Sequence, residues 1–137
     1  MKVRRKELNS MMHFLKQHLL GKRLAHNVQV NLHVVKMPEY QEGWMGYCCC
    51  VDTNIRPREF DVYIDNRMSK RSIIETLCHE MVHVKQWARG EMVQKFRPKN
   101  MILWMDREIR NGREPWETEA YRMQSELYDL LKEEGFV

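Results

Sequence analysis

The chain has 137 residues, with 23 Lys and Arg against 19 Asp and Glu and a net charge of +4. A chain of this length buries roughly two-thirds of its unfolded surface in one core, so we expect a single domain over residues 1–137 without disulfide staples. No apolar run follows the basic N-terminus as a signal peptide requires, and no segment reaches the roughly 20 apolar residues of a membrane span. These features exclude a membrane protein and predict a soluble, cytoplasmic one.

The cysteines argue against a disulfide framework. Three are consecutive, Cys48, Cys49 and Cys50, and Cys78 stands apart, so the chain contains no CxxC pair. A reducing compartment is the simpler interpretation. On a strand, Cys48 and Cys50 would share one face and Cys49 the other, as small buried hydrophobic residues.

The positive charge is concentrated at the N-terminus. Residues 1–23 contain seven Lys or Arg and one Glu, a net charge of +6, which against the total of +4 leaves −2 for the remaining chain. This asymmetry is typical of a protein with an anionic partner, and the basic N-terminal helix is the candidate surface for nucleic-acid contact. A solvated helix face explains it equally well.

The first third of the chain predicts a helix and then a strand. Apolar residues recur at intervals of three and four over residues 4–20, which indicates an amphipathic helix ended by Gly21. Residues 28–35 alternate and are β-branched, which predicts a strand that ends before Pro38. Residues 38–46 read as a loop.

Two further strands are predicted over residues 47–51 and 60–65, joined as a hairpin across residues 54–57. The next helix ends at Gly90, and Ser72 with Glu75 has the form of a capping box at its start, although Ser69 could equally begin it.

The C-terminal third is uneven in its signals. Residues 92–111 are ambiguous, with a possible short strand over residues 101–105 and a possible lid. The last helix is clear, because Pro115 suits a first turn and apolar residues recur at helical spacing up to Gly135.

The pentapeptide His79-Glu80-Met81-Val82-His83 lies inside the second long helix. Helix residues four apart share a face with Cβ atoms roughly 5–6 Å apart, so His79 and His83 can bind one ion through bonds of about 2.0–2.1 Å. Glu80 projects beside them, where it could hold a metal-bound water. The HExxH spacing therefore predicts a zinc hydrolase site.

A catalytic zinc site needs a third protein ligand. The last helix offers Glu117 and Glu119 in its first turn, where carboxylates also suit the helix dipole. On a helical wheel Glu119 lies nearer the apolar stripe than Glu117. Periodicity thus slightly favours Glu119 and leaves both open.

HEMVH followed by Glu117-Thr118-Glu119-Ala120 resembles the gluzincins, zinc metallopeptidases completed by a Glu three residues before Ser or Ala. The runs Leu77 to Gln86 and Pro115 to Ala120 are similar to SprT-like and phage-type minimal zincin domains, over roughly residues 47–124. The resemblance implies that His79, His83 and Glu117 bind Zn²⁺.

The same resemblance implies a function and a fold. Glu80 would be the general base, and an extended peptide or protein substrate would pair with a strand at the cleft. The fold would be an α+β minimal zincin: an N-terminal helix, a three- to four-stranded sheet, the HExxH helix, and a C-terminal helix supplying the third ligand.

The sequence departs from the pattern of these families at and beside the third ligand. SprT proteins usually have a third His where this chain offers Glu117. Tyr121 replaces the Asp that commonly follows the Ala in gluzincins. The carboxylate that would contact a metal ligand from this position is therefore missing. Tyr121 is instead a candidate for stabilising the oxyanion, and packing is its alternative role.

Two other functions compete with a metallopeptidase. Peptide deformylase also uses HExxH but takes its third ligand from an upstream cysteine, for which Cys48, Cys49 or Cys50 could serve. A non-catalytic zinc-binding interaction or regulatory domain would keep the ion without the chemistry. The remaining histidines, His13, His18, His26 and His33, show no ligand spacing.

Overall fold

The computed structural model describes residues 3–37, 45–109 and 112–137, and within them it contains four helices and two small sheets. The helices are α1 (Arg5–Leu20), α2 (Lys22–His26), α3 (Lys70–Ala88) and α4 (Pro115–Glu133). The strands are β1 (Gln29–Val35), β2 (Gly46–Cys50), β3 (Glu59–Asp65), β4 (Met92–Lys95), β5 (Met101–Trp104) and β6 (Arg107–Glu108). The predicted α+β class is confirmed. Most of the predicted loop over residues 38–46 lies outside the described residues. None of the helices in the described ranges has the length and apolarity needed to cross a bilayer.

The first sheet has the strand order β1-β3-β2 and mixed direction. β1 runs parallel to β3, and β2 runs antiparallel to β3 with Tyr47 opposite Tyr63. The predicted hairpin is therefore confirmed, with β2 beginning one residue early, at Gly46. β2 is an edge strand within the part of the chain that the structure describes.

Helices α1 and α3 form the core with the inner face of this sheet. Gly21 follows α1 with a φ of 80°. The apolar residues whose spacing predicted this helix are all buried: Leu8, Met11, Met12, Leu15, Leu19 and Leu20. Cys48 and Cys50 pack against the core, whereas Cys49 lies opposite Asp61 on the outer face. The predicted alternation of the three cysteines is thus confirmed.

The helix that carries the HExxH motif begins earlier than the capping-box pattern predicted. Ser69 is the N-cap, and its hydroxyl accepts a hydrogen bond from the Ser72 backbone N–H. Ser72 is therefore a helical residue, and Ser69, the alternative start, is correct. Capping by Ser69 satisfies a backbone donor that the first helical turn leaves unpaired.

Gly46 is required where β2 approaches α3. A Cβ at this position would lie 2.6 Å from the carbonyl oxygen of Tyr63 and 2.7 Å from Cγ2 of Thr76. The first atom belongs to the backbone of β3 and the second to a buried residue of α3, so neither can move away easily. This close approach draws the edge strand against the helix that carries the motif.

We expect Gly46→Ala to lower the free energy of unfolding by about 1–3 kcal/mol, the usual cost of an overpacked core. Urea unfolding followed by circular dichroism would measure the change. Cys49→Ala is the matched control, because it alters the same strand on the face turned away from α3. Equal unfolding midpoints for Gly46→Ala and the unmodified protein would contradict the close approach.

Residues 92–108 form the second sheet, an antiparallel meander of β4, β5 and β6. The prediction of a strand at residues 101–105 is confirmed within one residue, whereas β4, β6 and the short helix α2 were not predicted. The ring of Trp104 lies 6.4 Å from that of Trp116 at the start of α4. This contact joins the second sheet to the helix that supplies the candidate third ligand.

The basic N-terminal residues make contacts within the protein. Arg4 pairs with Glu7 at 3.1 Å, and the Arg5 guanidinium donates a hydrogen bond to the carbonyl oxygen of Leu32. Arg5 therefore anchors α1 to β1. Nucleic-acid contact by this helix stays a prediction.

Candidate metal centre

His79 and His83 lie one turn apart on the face of α3 that meets α4. Their ring centroids are 4.9 Å apart and the ring planes are inclined by 80°. Both residues are buried, at 9 % exposure each. Two imidazoles would be costly to bury without partners, so the pair needs polar groups from elsewhere in the fold.

Glu117 supplies that partner from the first turn of α4. Its Oε1 lies 2.6 Å from Nε2 of His83, and its Oε2 lies 3.3 Å from Nε2 of His79. One ligand atom from each of the three residues lies within 4.8 Å of the others. The structure therefore brings together the three residues that the sequence resemblance selected.

Glu119, the alternative ligand, points to a different set of partners. Its Oε1 accepts hydrogen bonds from Lys85 at 2.8 Å and from Gln86 at 3.2 Å. Periodicity slightly favoured Glu119, but the structure places its carboxylate outside the group formed by His79, His83 and Glu117.

The three grouped side chains are electrostatically coupled. Hydrogen bonds from His79 and His83 hold the pKa of Glu117 far below its usual value. Burial alone would lower the pKa of His83, but the hydrogen bond to Glu117 and the charge of Glu80 outweigh it and raise that pKa. Without a metal, the centre thus favours a carboxylate paired with an imidazolium.

This ion pair predicts a pH optimum for the stability of the metal-free protein. Glu117 has a lowered pKa, so its contribution is present above its unfolded value of 4.5 and is lost as pH falls through the folded pKa. His83 has a raised pKa, so its contribution is present below 6.5 and is lost as pH rises through the folded pKa. In urea unfolding with a chelator, the stability difference between the unmodified protein and Glu117→Gln should be largest at about pH 4.5–6.5. A difference that grows above pH 8 would contradict the pairing.

The donor set fits zinc. Two imidazole nitrogens and one carboxylate form a known catalytic combination that leaves a fourth position for water or substrate. Tetrahedral ligand atoms about 2.0–2.1 Å from an ion are about 3.3 Å apart, which matches the 3.3 Å between His79 and Glu117. The shorter contact of His83 is that of a direct ion pair and would have to lengthen around an ion.

Glu80 faces the same cleft but does not belong to the ligand group. It is 5 % exposed, and its Cγ would lie 3.6 Å from a Cβ at position 46. No hydrogen bond or ion pair joins its carboxylate to another described residue. Burial raises the pKa of Glu80, with a further increase from Glu117 and an opposing effect of the two histidines. A raised pKa suits a group that must take up a proton and release it again.

The centre opens into a cleft of about 710 Å³. β2 forms one side of the cleft, α3 crosses it, and the second sheet and α4 form the opposite side. An apolar part extends from His83 toward the C-terminal end of α3. It is lined by Trp87, Met92, Ile102 and Trp116.

The free edge of β2 borders the cleft. The backbone N–H of Asp65 donates to the carbonyl of Met45, and hydrogen-bonded positions alternate along an antiparallel pair. Gly46 and Cys48 therefore direct their N–H and C=O groups away from β3, over the cleft. Within the described ranges no strand pairs with this edge, so an extended peptide could do so.

Sequence reasoning missed two glutamines that contact the histidines. Gln86 Oε1 lies 2.8 Å from Nδ1 of His83, and Gln124 Oε1 lies 3.0 Å from Nδ1 of His79. Gluzincins commonly have an Asp beside a ligand where this chain has Tyr121. Gln124, three residues later, makes a contact of that kind with His79. Helical spacing held a signal, since Gln86 follows His83 by three residues and Gln124 follows Glu117 by seven.

Tyr121 lies in the cleft with its ring centroid 4.6 Å from that of His79. It is 60 % exposed, so core packing does not explain its position. A role in stabilising an oxyanion stays a prediction.

The cysteines do not complete the centre. Cys48 lines the cleft, where burial and the nearby charge of Glu80 raise the pKa of its thiol well above the usual value. Among the described residues no cysteine joins the group of potential ligands, which disfavours a deformylase-like site. His33 does not belong to the ligand group and hydrogen-bonds Asp61 at 3.1 Å.

Comparisons of the chain with models of protein families, with curated proteins and with solved structures give no significant match.

Proposed function

We propose that the protein is a zinc-dependent metallopeptidase with the arrangement of a minimal zincin, akin to SprT-like and phage-type domains. The observation that carries the proposal is the convergence of His79, His83 and Glu117 beside the buried Glu80 in one open cleft. A purely structural metal site is closed by four ligands, whereas these three leave a position open.

His79, His83 and Glu117 would hold the ion. Zinc bound there would lower the pKa of a coordinated water toward about 7 and polarise the substrate carbonyl. Glu80 accepts the proton of the attacking water and passes it to the leaving amine. Its buried position in the cleft, next to the ligand group, supports both transfers.

The substrate is an extended peptide or an unfolded segment of a protein. Its backbone would pair with the outward N–H and C=O groups of Gly46 and Cys48, which gives binding with little demand on sequence. Alternate side chains would enter the cleft, where Trp87 and Ile102 offer apolar contact.

The test is proteolysis of an unfolded protein by the zinc-loaded chain. We expect cleavage of denatured, fluorescently labelled casein that stops when a chelator removes the metal and returns when zinc is added back. If the protein binds one zinc per chain and cleaves no peptide bond, the catalytic proposal is wrong. A non-catalytic zinc-binding domain would then be the better interpretation.

A further inference from the structure

Each of the two histidines presents one ring nitrogen to Glu117 and the other to a glutamine. Nε2 of both rings faces the carboxylate, at 2.6 and 3.3 Å. Nδ1 of His83 faces Gln86 at 2.8 Å, and Nδ1 of His79 faces Gln124 at 3.0 Å. The two glutamines thus contact the nitrogens that would not bind an ion.

The surroundings of Gln86 determine which end of its amide faces His83. Its Nε2 lies 2.9 Å from the carbonyl oxygen of Trp116 and 3.2 Å from Oε1 of Glu119. Both of those oxygens only accept hydrogen bonds, so the NH₂ group must face them. Oε1 of Gln86 therefore faces His83 as an acceptor, and the Nδ1 of His83 must carry the proton.

The same logic applies to His79. Nε2 of Gln124 lies 3.5 Å from Oε2 of Glu75, again an atom that only accepts. Oε1 of Gln124 then accepts from Nδ1 of His79. A proton on Nδ1 of a neutral ring leaves the lone pair on Nε2, the nitrogen that faces the cleft.

Each carboxylate that faces a glutamine is itself paired with a cation. Lys85 pairs with Glu119 at 2.8 Å, and Arg71 pairs with Glu75 at 2.7 Å. Two chains of contacts therefore run from a cation through a carboxylate and a glutamine amide to an imidazole. We call them the two relays: Lys85-Glu119-Gln86-His83 and Arg71-Glu75-Gln124-His79.

We propose that Gln86 and Gln124 are positioning residues, which hold His83 and His79 in the tautomer and ring orientation that turn both Nε2 lone pairs toward the metal position. The inference rests on the proposed function, in that it assumes zinc binding by these histidines. It goes further by naming the groups that fix the tautomer. Here two neutral side-chain amides accept the hydrogen bond from Nδ1–H, which a carboxylate or a backbone carbonyl commonly accepts.

Single substitutions that remove the acceptor test the proposal. Gln86→Leu and Gln124→Leu keep similar side-chain volume but cannot accept a hydrogen bond from Nδ1. We expect each to weaken zinc binding by about 10–100-fold, as loss of an outer partner of a ligand usually does. Competition with a chromophoric chelator measures the affinity without requiring activity. Gln86 is fully buried, so Gln124→Leu, at a less buried position, keeps the test informative if Gln86→Leu does not fold.

A second readout separates positioning from mere structural support. Long-range ¹H–¹⁵N spectra of the zinc-loaded protein report which ring nitrogen carries the proton and which binds the ion. The unmodified protein should show Nδ1–H at both histidines. Each Leu variant should shift its own histidine toward Nε2–H and leave the other unchanged.

Exchanging the amide and the carboxylate of one relay should rescue binding. Gln86→Glu alone places two carboxylates together and should weaken zinc binding. In the double variant Gln86→Glu with Glu119→Gln, the carboxylate at position 86 accepts from Nδ1 of His83. The amide at position 119 then donates a hydrogen bond to that carboxylate. We expect the double variant to bind zinc more tightly than Gln86→Glu.

Unchanged zinc affinity in both Leu variants, unchanged tautomers, or no recovery in the double variant would overturn the positioning role. Failure of the unmodified protein to bind zinc would instead overturn the proposed function on which the inference rests. The two failures are distinct, because the second appears before any substitution is made.

Discussion

Glu80→Gln should retain zinc and lose most of its peptidase activity. The amide has nearly the volume of the carboxylate but cannot accept a proton from water, so kcat should fall by roughly 10²–10⁴-fold, the range usual for a general base. Zinc content should stay at one per chain, because Glu80 lies outside the group formed by His79, His83 and Glu117. Steady-state cleavage of a fluorogenic peptide together with metal analysis measures both quantities.

Glu114→Gln is the matched control for this substitution. Glu114 also contributes a carboxylate to the cleft but precedes α4 and is not a member of the ligand group. Its replacement should leave most of kcat intact, which separates loss of the base from a general loss of negative charge. If Glu80→Gln keeps full zinc and an unchanged kcat, Glu80 is not the base and the catalytic proposal fails.

The main elements of the first sheet and of the long helices could be predicted because each carries its own periodic signal. The apolar positions of α1 recur every three to four residues and all become buried. β1 and β3 have buried residues in alternation at their centres. Such patterns depend on one face meeting one core, which a sequence displays directly.

The second sheet lacked such a signal. Its strands are short, and the turn from β5 to β6 uses Met105 and Asp106 at φ values of 51° and 67°. Two consecutive residues with positive φ are typical of a tight hairpin turn, for which Asn-Gly or Asp-Gly is the usual sequence. Since the chain has neither dipeptide there, the hairpin could not be recognised from its turn.

The candidate centre was partly predictable for a related reason. His79, Glu80 and His83 lie on one helix, so their spacing alone fixes their relative positions. Glu117 comes from another helix, and its position depends on how α4 crosses α3. A helical wheel reports only the direction of the apolar stripe of α4, and resemblance rather than periodicity favoured Glu117. Only helical spacing marked Gln86 and Gln124, and spacing does not show which atoms their side chains contact in the folded protein.

Glu117→Gln should weaken zinc binding far more than Glu119→Gln. Glu117 contacts both histidines at Nε2, whereas Glu119 contacts Lys85 and Gln86. Loss of the candidate ligand should weaken zinc binding by at least about 100-fold, the upper end of what loss of an outer partner causes. Glu119→Gln keeps an acceptor oxygen for Gln86 and should weaken binding by less than about tenfold.

The pair is informative because the two substitutions remove the same charge from neighbouring positions of one helix turn. Any effect of net charge or of the dipole of α4 should therefore be similar in both variants. A large difference in affinity, measured by chelator competition, isolates direct contact with the ion. If Glu119→Gln loses zinc while Glu117→Gln keeps it, Glu117 is not the third ligand. Full zinc in both variants would instead require a ligand outside α4, and Cys48→Ser would then become the decisive variant for a deformylase-like centre.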